Sequence, residues 1–232
     1  MTGRWVEVAT PDGRMGAYLA RADSAGPLPA VIVVMEAFGL NAHMESVADR
    51  IAAAGYVAIA PDLYYRETDR VASYSDLPKA ISLMGKLKDE RIVADVQATI
   101  DFLAADPGVR ADRIGMTGFC LGGRVTFLAA TRLPLRAAAP FYGGGIGGLL
   151  GAAEDISCPM LLFFGEKDGF IPLTEVDKIR ARLEELGKDA EVVVYPGADH
   201  GFFCDERPSY QEAAATDAWH RLTTLFAANL KS

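Results

Sequence analysis

Apolar and polar positions along the chain change rhythm repeatedly, and each change marks an element. Residues 5–9 and 16–20 have strand character and flank Pro11-Asp12-Gly13, turn chemistry that predicts a hairpin at a sheet edge. Residues 30–35 (AVIVVM) are an unbroken apolar run, expected of a strand buried on both faces. A helix is predicted over 44–54 with Gly55 as its stop, then a second buried strand over 57–60 closed by Pro61. Residues 62–85 show no steady period and are expected to wander over the sheet edge as loop and short helix, a candidate substrate cover.

Ile92, Val96, Ile100 and Leu103 recur at helical spacing until Pro107-Gly108. Strand character returns at 114–117, 137–142, 160–164 and 191–195. Between the last two, Val176, Ile179, Leu183 and Leu186 line one helical face ending at Gly187. Ser209-Tyr210-Gln211-Glu212 reads as a capping box opening a last helix, on which Trp219, Leu222 and Phe226 share a face. The alternation predicts one α/β domain over 1–232, a mainly parallel twisted sheet of about seven or eight strands with helices on both faces. The glycine-rich stretch 143–151 is too short and apolar to be a linker. In such sheets ligands gather beyond the carboxyl ends of the strands, which directs attention to the residues just after each strand.

Half of the 232 residues are hydrophobic, enough for a substantial core. The net charge of −8 is spread along the chain with no basic cluster, which argues against nucleic acid as a partner. Arg4, Glu7, Asp12, Arg14 and Arg21 interrupt any signal-peptide core, and no stretch is long enough for a membrane span, so a cytoplasmic protein without a membrane partner is expected. Three scattered cysteines, with no C-x-x-C or H-x-x-x-H spacing, predict neither a disulfide framework nor a metal site.

Gly118-Phe119-Cys120-Leu121-Gly122 has the G-x-S-x-G form of a nucleophile elbow, with cysteine in place of serine. A turn that tight leaves no room for side chains at the glycines, and it lifts Sγ above the sheet beside a helix N-terminus that favours thiolate. Taken alone, the pentapeptide is equally a buried cysteine at a crowded strand–helix junction. The ordered partners tip the balance: Asp168 follows the strand at 160–164 and His200 follows the strand at 191–195, in the order nucleophile, acid, histidine. His200 is the expected base and Asp168 its orienting carboxylate. The amides of Ala37 and Leu121 are the expected oxyanion hole, with Glu36 at a strand end beside it, where a carboxylate is costly without a task or a partner.

Other residues have plainer readings. His43 and His220 are expected to be helix residues, although the Glu36 loop brings His43 near the site. Asp199 is a rival for the orienting role, but neighbours on one loop rarely aim at each other. Cys158 precedes Pro159 at a strand start, hence far from Cys120, and Cys204 is expected to be a bystander thiol. Phe38, Tyr142, Phe170 and Phe202 are candidates to wall an apolar substrate pocket.

These residues carry a resemblance. Glu36-Ala37-Phe38-Gly39, Gly118-Phe119-Cys120-Leu121-Gly122-Gly123, Asp168-Gly169-Phe170-Ile171-Pro172 and Gly197-Ala198-Asp199-His200-Gly201-Phe202 resemble the dienelactone hydrolase family of α/β-hydrolases over nearly the whole chain. The resemblance implies hydrolysis of an ester or lactone through a cysteine thioester, without metal or cofactor, during breakdown of aromatic compounds. It implies that Glu36 engages the resting thiol and takes its proton when substrate arrives. The family's carboxylate-binding arginine, four residues after the histidine, is replaced by Cys204, and Arg66, Arg70 and Arg207 are possible substitutes. A broad carboxylesterase or thioesterase is the alternative, and a non-catalytic binding protein on this fold is a further one. The partner expected is a small ester or lactone, bound by a monomer or weak homo-oligomer.

Overall fold

The apolar run ahead of Glu36 forms a strand at the middle of an eight-stranded sheet. The computed structural model describes residues 3–232. Its strands are β1 (Arg4–Thr10), β2 (Gly13–Arg21), β3 (Leu28–Val34), β4 (Val57–Pro61), β5 (Val109–Phe119), β6 (Ala138–Phe141), β7 (Met160–Gly165) and β8 (Ala190–Tyr195). Their order across the sheet is β1-β2-β4-β3-β5-β6-β7-β8. The pairs β1–β2 and β2–β4 are antiparallel and all later neighbours are parallel. As the turn chemistry predicts, β1 and β2 form a hairpin with Thr10 opposite Gly13.

The helices are α1 (Ala42–Ala53), α2 (Leu77–Met84), α3 (Asp89–Ala104), α4 (Leu121–Ala130), α5 (Leu173–Glu185) and α6 (Glu212–Leu230). Helices α1 and α6 pack on one face of the sheet, and α3, α4 and α5 cover the other. Two-sided cover explains why β4, β6 and β7 are buried along their whole length. The glycine-rich stretch folds into a 3-10 run, Ile146–Asp155, against α4 and α5.

After β3 the chain moves outward to β4, and after β5 it moves to the opposite side of the sheet. The carboxyl ends of β3 and β5 therefore border the switch point, where open α/β sheets leave a crevice. Val34 pairs with Gly118, and Gly118 pairs with Pro140 on the far side. Two residues beyond that row come Glu36, Cys120 and Tyr142, which puts the nucleophile candidate between the other two.

The 62–85 excursion is anchored by charge. Asp95 of α3 is almost fully buried; Arg66 donates to its carboxylate at 2.7 and 2.9 Å, Tyr65 adds a bond at 3.1 Å, and Arg66 also reaches Asp12 of the hairpin at 2.7 Å. The segment then crosses the Glu36 loop, where the Ala72 amide donates to the Phe38 carbonyl at 2.9 Å.

The capping box expected at Ser209 does not form. Ser209 Oγ is buried without a partner, and α6 starts after Gln211 with no side-chain cap. The physical reason is that the Gln211 amide is drawn to the Phe202 carbonyl at 3.0 Å, which holds this stretch against the His200 loop and delays the helix.

Candidate active site

Cys120 links β5 to α4 in a conformation that L residues rarely adopt, with φ 53° and ψ −112°. Such strain costs about 1–3 kcal/mol and persists only where the surroundings impose it. Here the Cys120 amide donates to the Phe141 carbonyl at 3.1 Å, and the Cys120 carbonyl accepts from Gly123 at 3.0 Å as the helix begins. The glycines are required by contact. A Cβ on Gly118 would lie 2.2 Å from the Gly122 carbonyl oxygen, one on Gly122 would lie 2.3 Å from that of Val34, and one on Gly123 would lie 2.3 Å from that of Phe141.

Asp168 and His200 meet beside this turn. His200 Nδ1 and Asp168 Oδ2 are 2.8 Å apart, and Asp168 Oδ1 accepts from the amides of Phe170 at 2.8 Å and Ile171 at 3.1 Å. Both carboxylate oxygens are thus held, which fixes the imidazole through Nδ1 and leaves Nε2 for Cys120. Burial by itself would lower the pKa of His200, but its contacts with Asp168 and Cys120 outweigh burial and push it up to about 10. The rival Asp199 turns to the backbone, where Oδ1 accepts from the His200 amide at 2.6 Å.

Ala37 and Leu121 lie beyond β3 and at the first position of α4, and neither amide bonds another described residue. The Ala37 carbonyl accepts from the Tyr64 hydroxyl at 2.9 Å, which pins the peptide from the excursion side. Gly39, with φ 91°, closes the loop so tightly that a Cβ would lie 2.2 Å from the Arg70 carbonyl oxygen.

Glu36 is 1% exposed, and its Oε1 accepts from Arg207 Nη1 at 3.1 Å while Oε2 has no partner. The contact with the resting thiol that the resemblance implies is therefore absent in this state, in which Glu36 turns to Arg207. Burial opposes the charge on Arg207, and Glu36 together with Tyr142, Cys120 and Cys204 outweighs it and raises the pKa. The guanidinium also lies over the rings of Phe38 and Tyr74, 5.4 and 5.9 Å from their centroids. Gly201 leaves room for it, since a Cβ there would be 2.1 Å from Arg207 Nη1. Of the three arginines named from the sequence, Arg66 is held by Asp95 and Asp12 and Arg70 by Asp62, so Arg207 alone reaches Glu36.

Cys204 is fully buried and donates to the Tyr74 hydroxyl at 3.3 Å, and burial together with the Glu36 charge pushes its pKa up to about 11. His43 is also buried and bonds Asp205 at 3.2 Å. Among the four aromatic candidates, Phe170 is 64% exposed with its ring 5.1 Å from that of His200, whereas Phe38, Tyr142 and Phe202 are buried. The pair of Tyr74 and Tyr64 was not anticipated, since no period marks the excursion that carries them. Among the described residues, no group of three or more His, Cys, Asp or Glu side chains is placed to hold a metal ion, and no helix is long and apolar enough to cross a membrane.

In comparison with known proteins, the Dienelactone hydrolase family profile matches residues 15–230. The chain belongs to the dienelactone hydrolase family. A Synechocystis relative named "Putative carboxymethylenebutenolidase" is 37% identical over 97% of this chain and 96% of its own length. One of the same name from Escherichia coli K12 is 38% identical over 96% of this chain and 85% of its own length. The crystal structure titled "Putative Dienelactone Hydrolase" from Klebsiella pneumoniae superposes with a TM-score of 0.92 at 37% identity, covering 97% of this chain and 98% of that one. The protein is accordingly a dienelactone hydrolase-like hydrolase with the α/β-hydrolase fold, acting on a small-molecule ester or lactone.

Proposed function

We propose that this hydrolase works through a cysteine acyl-enzyme. The observation that carries the reading is the fixed pair of His200 and Asp168, 2.8 Å apart, beside a cysteine held at positive φ on a helix N-terminus. His200 Nε2 holds the proton while the Cys120 thiolate attacks the carbonyl carbon. The resulting oxyanion is received by the amides of Leu121 and Ala37. Collapse breaks the bond to the alcohol oxygen, which takes the proton from His200, and leaves a thioester on Cys120. Water then gives its proton to His200 and attacks the thioester, and the thiolate leaves as the carboxylic acid forms.

Arg207 is the cation of this site available to a carboxylate-bearing lactone, and its place against Glu36 couples the two groups. A substrate carboxylate that drew Arg207 away would release Glu36 to act on the thiol. The broad esterase reading is favoured by the same ion pair, because an arginine already neutralised selects acids less strongly. Rapid-quench mass spectrometry with a nitrophenyl ester tests the chemistry, and one acyl group on the Cys120 peptide is the expected result. An acyl group on another residue, or none during turnover, would overturn it. Competition between dienelactone and a neutral nitrophenyl ester then decides the substrate: a lactone preference lost in Arg207→Gln supports the acidic lactone, and equal rates support the broad esterase.

A further inference from the structure

Cys120 and Tyr142 are the two non-glycine residues with positive φ among those described, Tyr142 at 35°. Tyr142 follows β6 and its amide donates to the Phe163 carbonyl at 2.7 Å. The residue is fully buried and its hydroxyl has no hydrogen-bond partner. Leaving a buried polar group unpaired is costly, and phenylalanine in the same space would avoid that cost. The ring cannot swing outward, because it stands edge-on to His200 at 5.1 Å and to Phe202 at 5.3 Å. Strain and an unpaired hydroxyl at one residue suggest a use in another state of the protein.

The surroundings specify that use. The charged and titratable groups around Tyr142 are Glu36, Cys204, Arg207 and Cys120, with His200 against its ring. Burial first, and then the Glu36 carboxylate, hold the hydroxyl protonated, so it serves as a donor. Arg207 accepts nothing, and Cys204 is engaged with Tyr74. Glu36 Oε2 is the buried acceptor left without a donor. Continued past its last paired residues, the strand register places Glu36 and Tyr142 on either side of Cys120, so the unpaired acceptor and the unpaired donor both flank the nucleophile.

We infer that Tyr142 is a positioning residue of the reaction: its hydroxyl donates to Oε2 of Glu36 during turnover and keeps that carboxylate turned toward Cys120. This rests on Cys120 being the nucleophile. In the free protein neither the Tyr142 hydroxyl nor Oε2 has a hydrogen-bond partner, and rotation of the Glu36 side chain as it loosens from Arg207 brings them together. The donor also favours the ionised carboxylate, the form able to accept a proton from the thiol.

The test is a double-mutant cycle of Tyr142→Phe and Glu36→Gln, read by the pH profile of kcat/KM and by thermal midpoint. Tyr142→Phe is expected to lower kcat/KM about tenfold and to move the acidic limb upward by about one pH unit, with a thermal midpoint equal to or above that of the wild type. In the Glu36→Gln background the same change is expected to have no further effect on kcat/KM. An equal loss in both backgrounds, or a lowered thermal midpoint with an unmoved acidic limb, would overturn the inference and leave Tyr142 a packing residue. Cys120→Ala is assayed alongside. Retained turnover in that variant would defeat the nucleophile assignment and the inference with it, whereas an inert Cys120→Ala with additive cycle losses would defeat the inference alone.

Discussion

Cys120 and Cys158 lie at opposite ends of the parallel sheet, and their surroundings differ accordingly. Cys120 stands beyond the carboxyl end of β5, partly exposed, at the first turn of α4 and against His200. Cys158 lies before the amino end of β7, buried, and burial pushes its thiol pKa up to about 11. The residue type is the same and the chemistry is not. In a parallel sheet each strand's carboxyl end feeds a loop and often a helix N-terminus, so backbone amides converge there. At the amino ends carbonyls and returning loops converge, and the Cys158 thiol there has the Asp189 carboxylate as its charged neighbour, which adds to the rise.

The contrast is broken most severely by moving the chemistry. Cys120→Ala is expected to lower turnover by on the order of 10⁴ or more, and Cys158→Ala to leave it within about twofold. Brief iodoacetamide treatment followed by peptide mass mapping should label Cys120 well before Cys158, and preferential labelling of Cys158 would reverse the assignment. Losing the proposed base comes next. His200→Ala should also cost on the order of 10⁴, and Asp168→Asn less, because the imidazole remains but is poorly oriented. Steady-state kinetics on folded variants check that order.

A third prediction concerns the buried ion pair. Arg207→Met leaves Glu36 enclosed without its partner, and breaking such a pair costs about 3–5 kcal/mol of stability. Arg207→Met with Glu36→Gln should be more stable than Arg207→Met alone, as read by urea unfolding. An additive loss would show that the pair is not coupled.

The smallest effect is in pH. His200 carries a pKa raised to about 10 in the folded protein, against 6.5 without the fold. A raised pKa means that the folded state binds the proton more tightly, so the stabilisation is complete below about pH 6.5 and is lost as pH rises toward about 10. The thermal midpoint of the wild type should therefore fall between pH 7 and 10 more than that of His200→Asn. Parallel curves would mean that the imidazolium contributes nothing to folding.

How much of this was legible in the chain follows from the range of each interaction. The elbow was legible because its demand is local: Gly118 and Gly122 are placed by contacts within one turn and one neighbouring strand. The meeting of Asp168 with His200 was legible because each follows a strand, and strand ends share one rim. The Glu36–Arg207 contact was not, since it joins positions 171 residues apart through the fold of the segment after Gly201. Asp95 was hidden for another reason: a carboxylate in a helix reads as solvent-facing until Arg66 and Tyr65 arrive from the excursion. Ser209 misled because a capping motif competes with tertiary bonds, and here the bond from Gln211 to Phe202 prevailed.

The crowding at the elbow also bears on how freely this chain can drift. Gly118, Gly122 and Gly123 face backbone oxygens, which cannot rotate aside as a side chain would. Gly148, Gly151 and Gly169 have nothing within 4 Å of where a Cβ would sit. In a saturation library scored for folded protein, the first three columns should therefore be nearly empty and the last three well populated. Substitution at the rim around Cys120 remains open to Phe170 and its exposed neighbours, so new substrates can be explored on the surface while the turn that presents the sulfur stays unchanged.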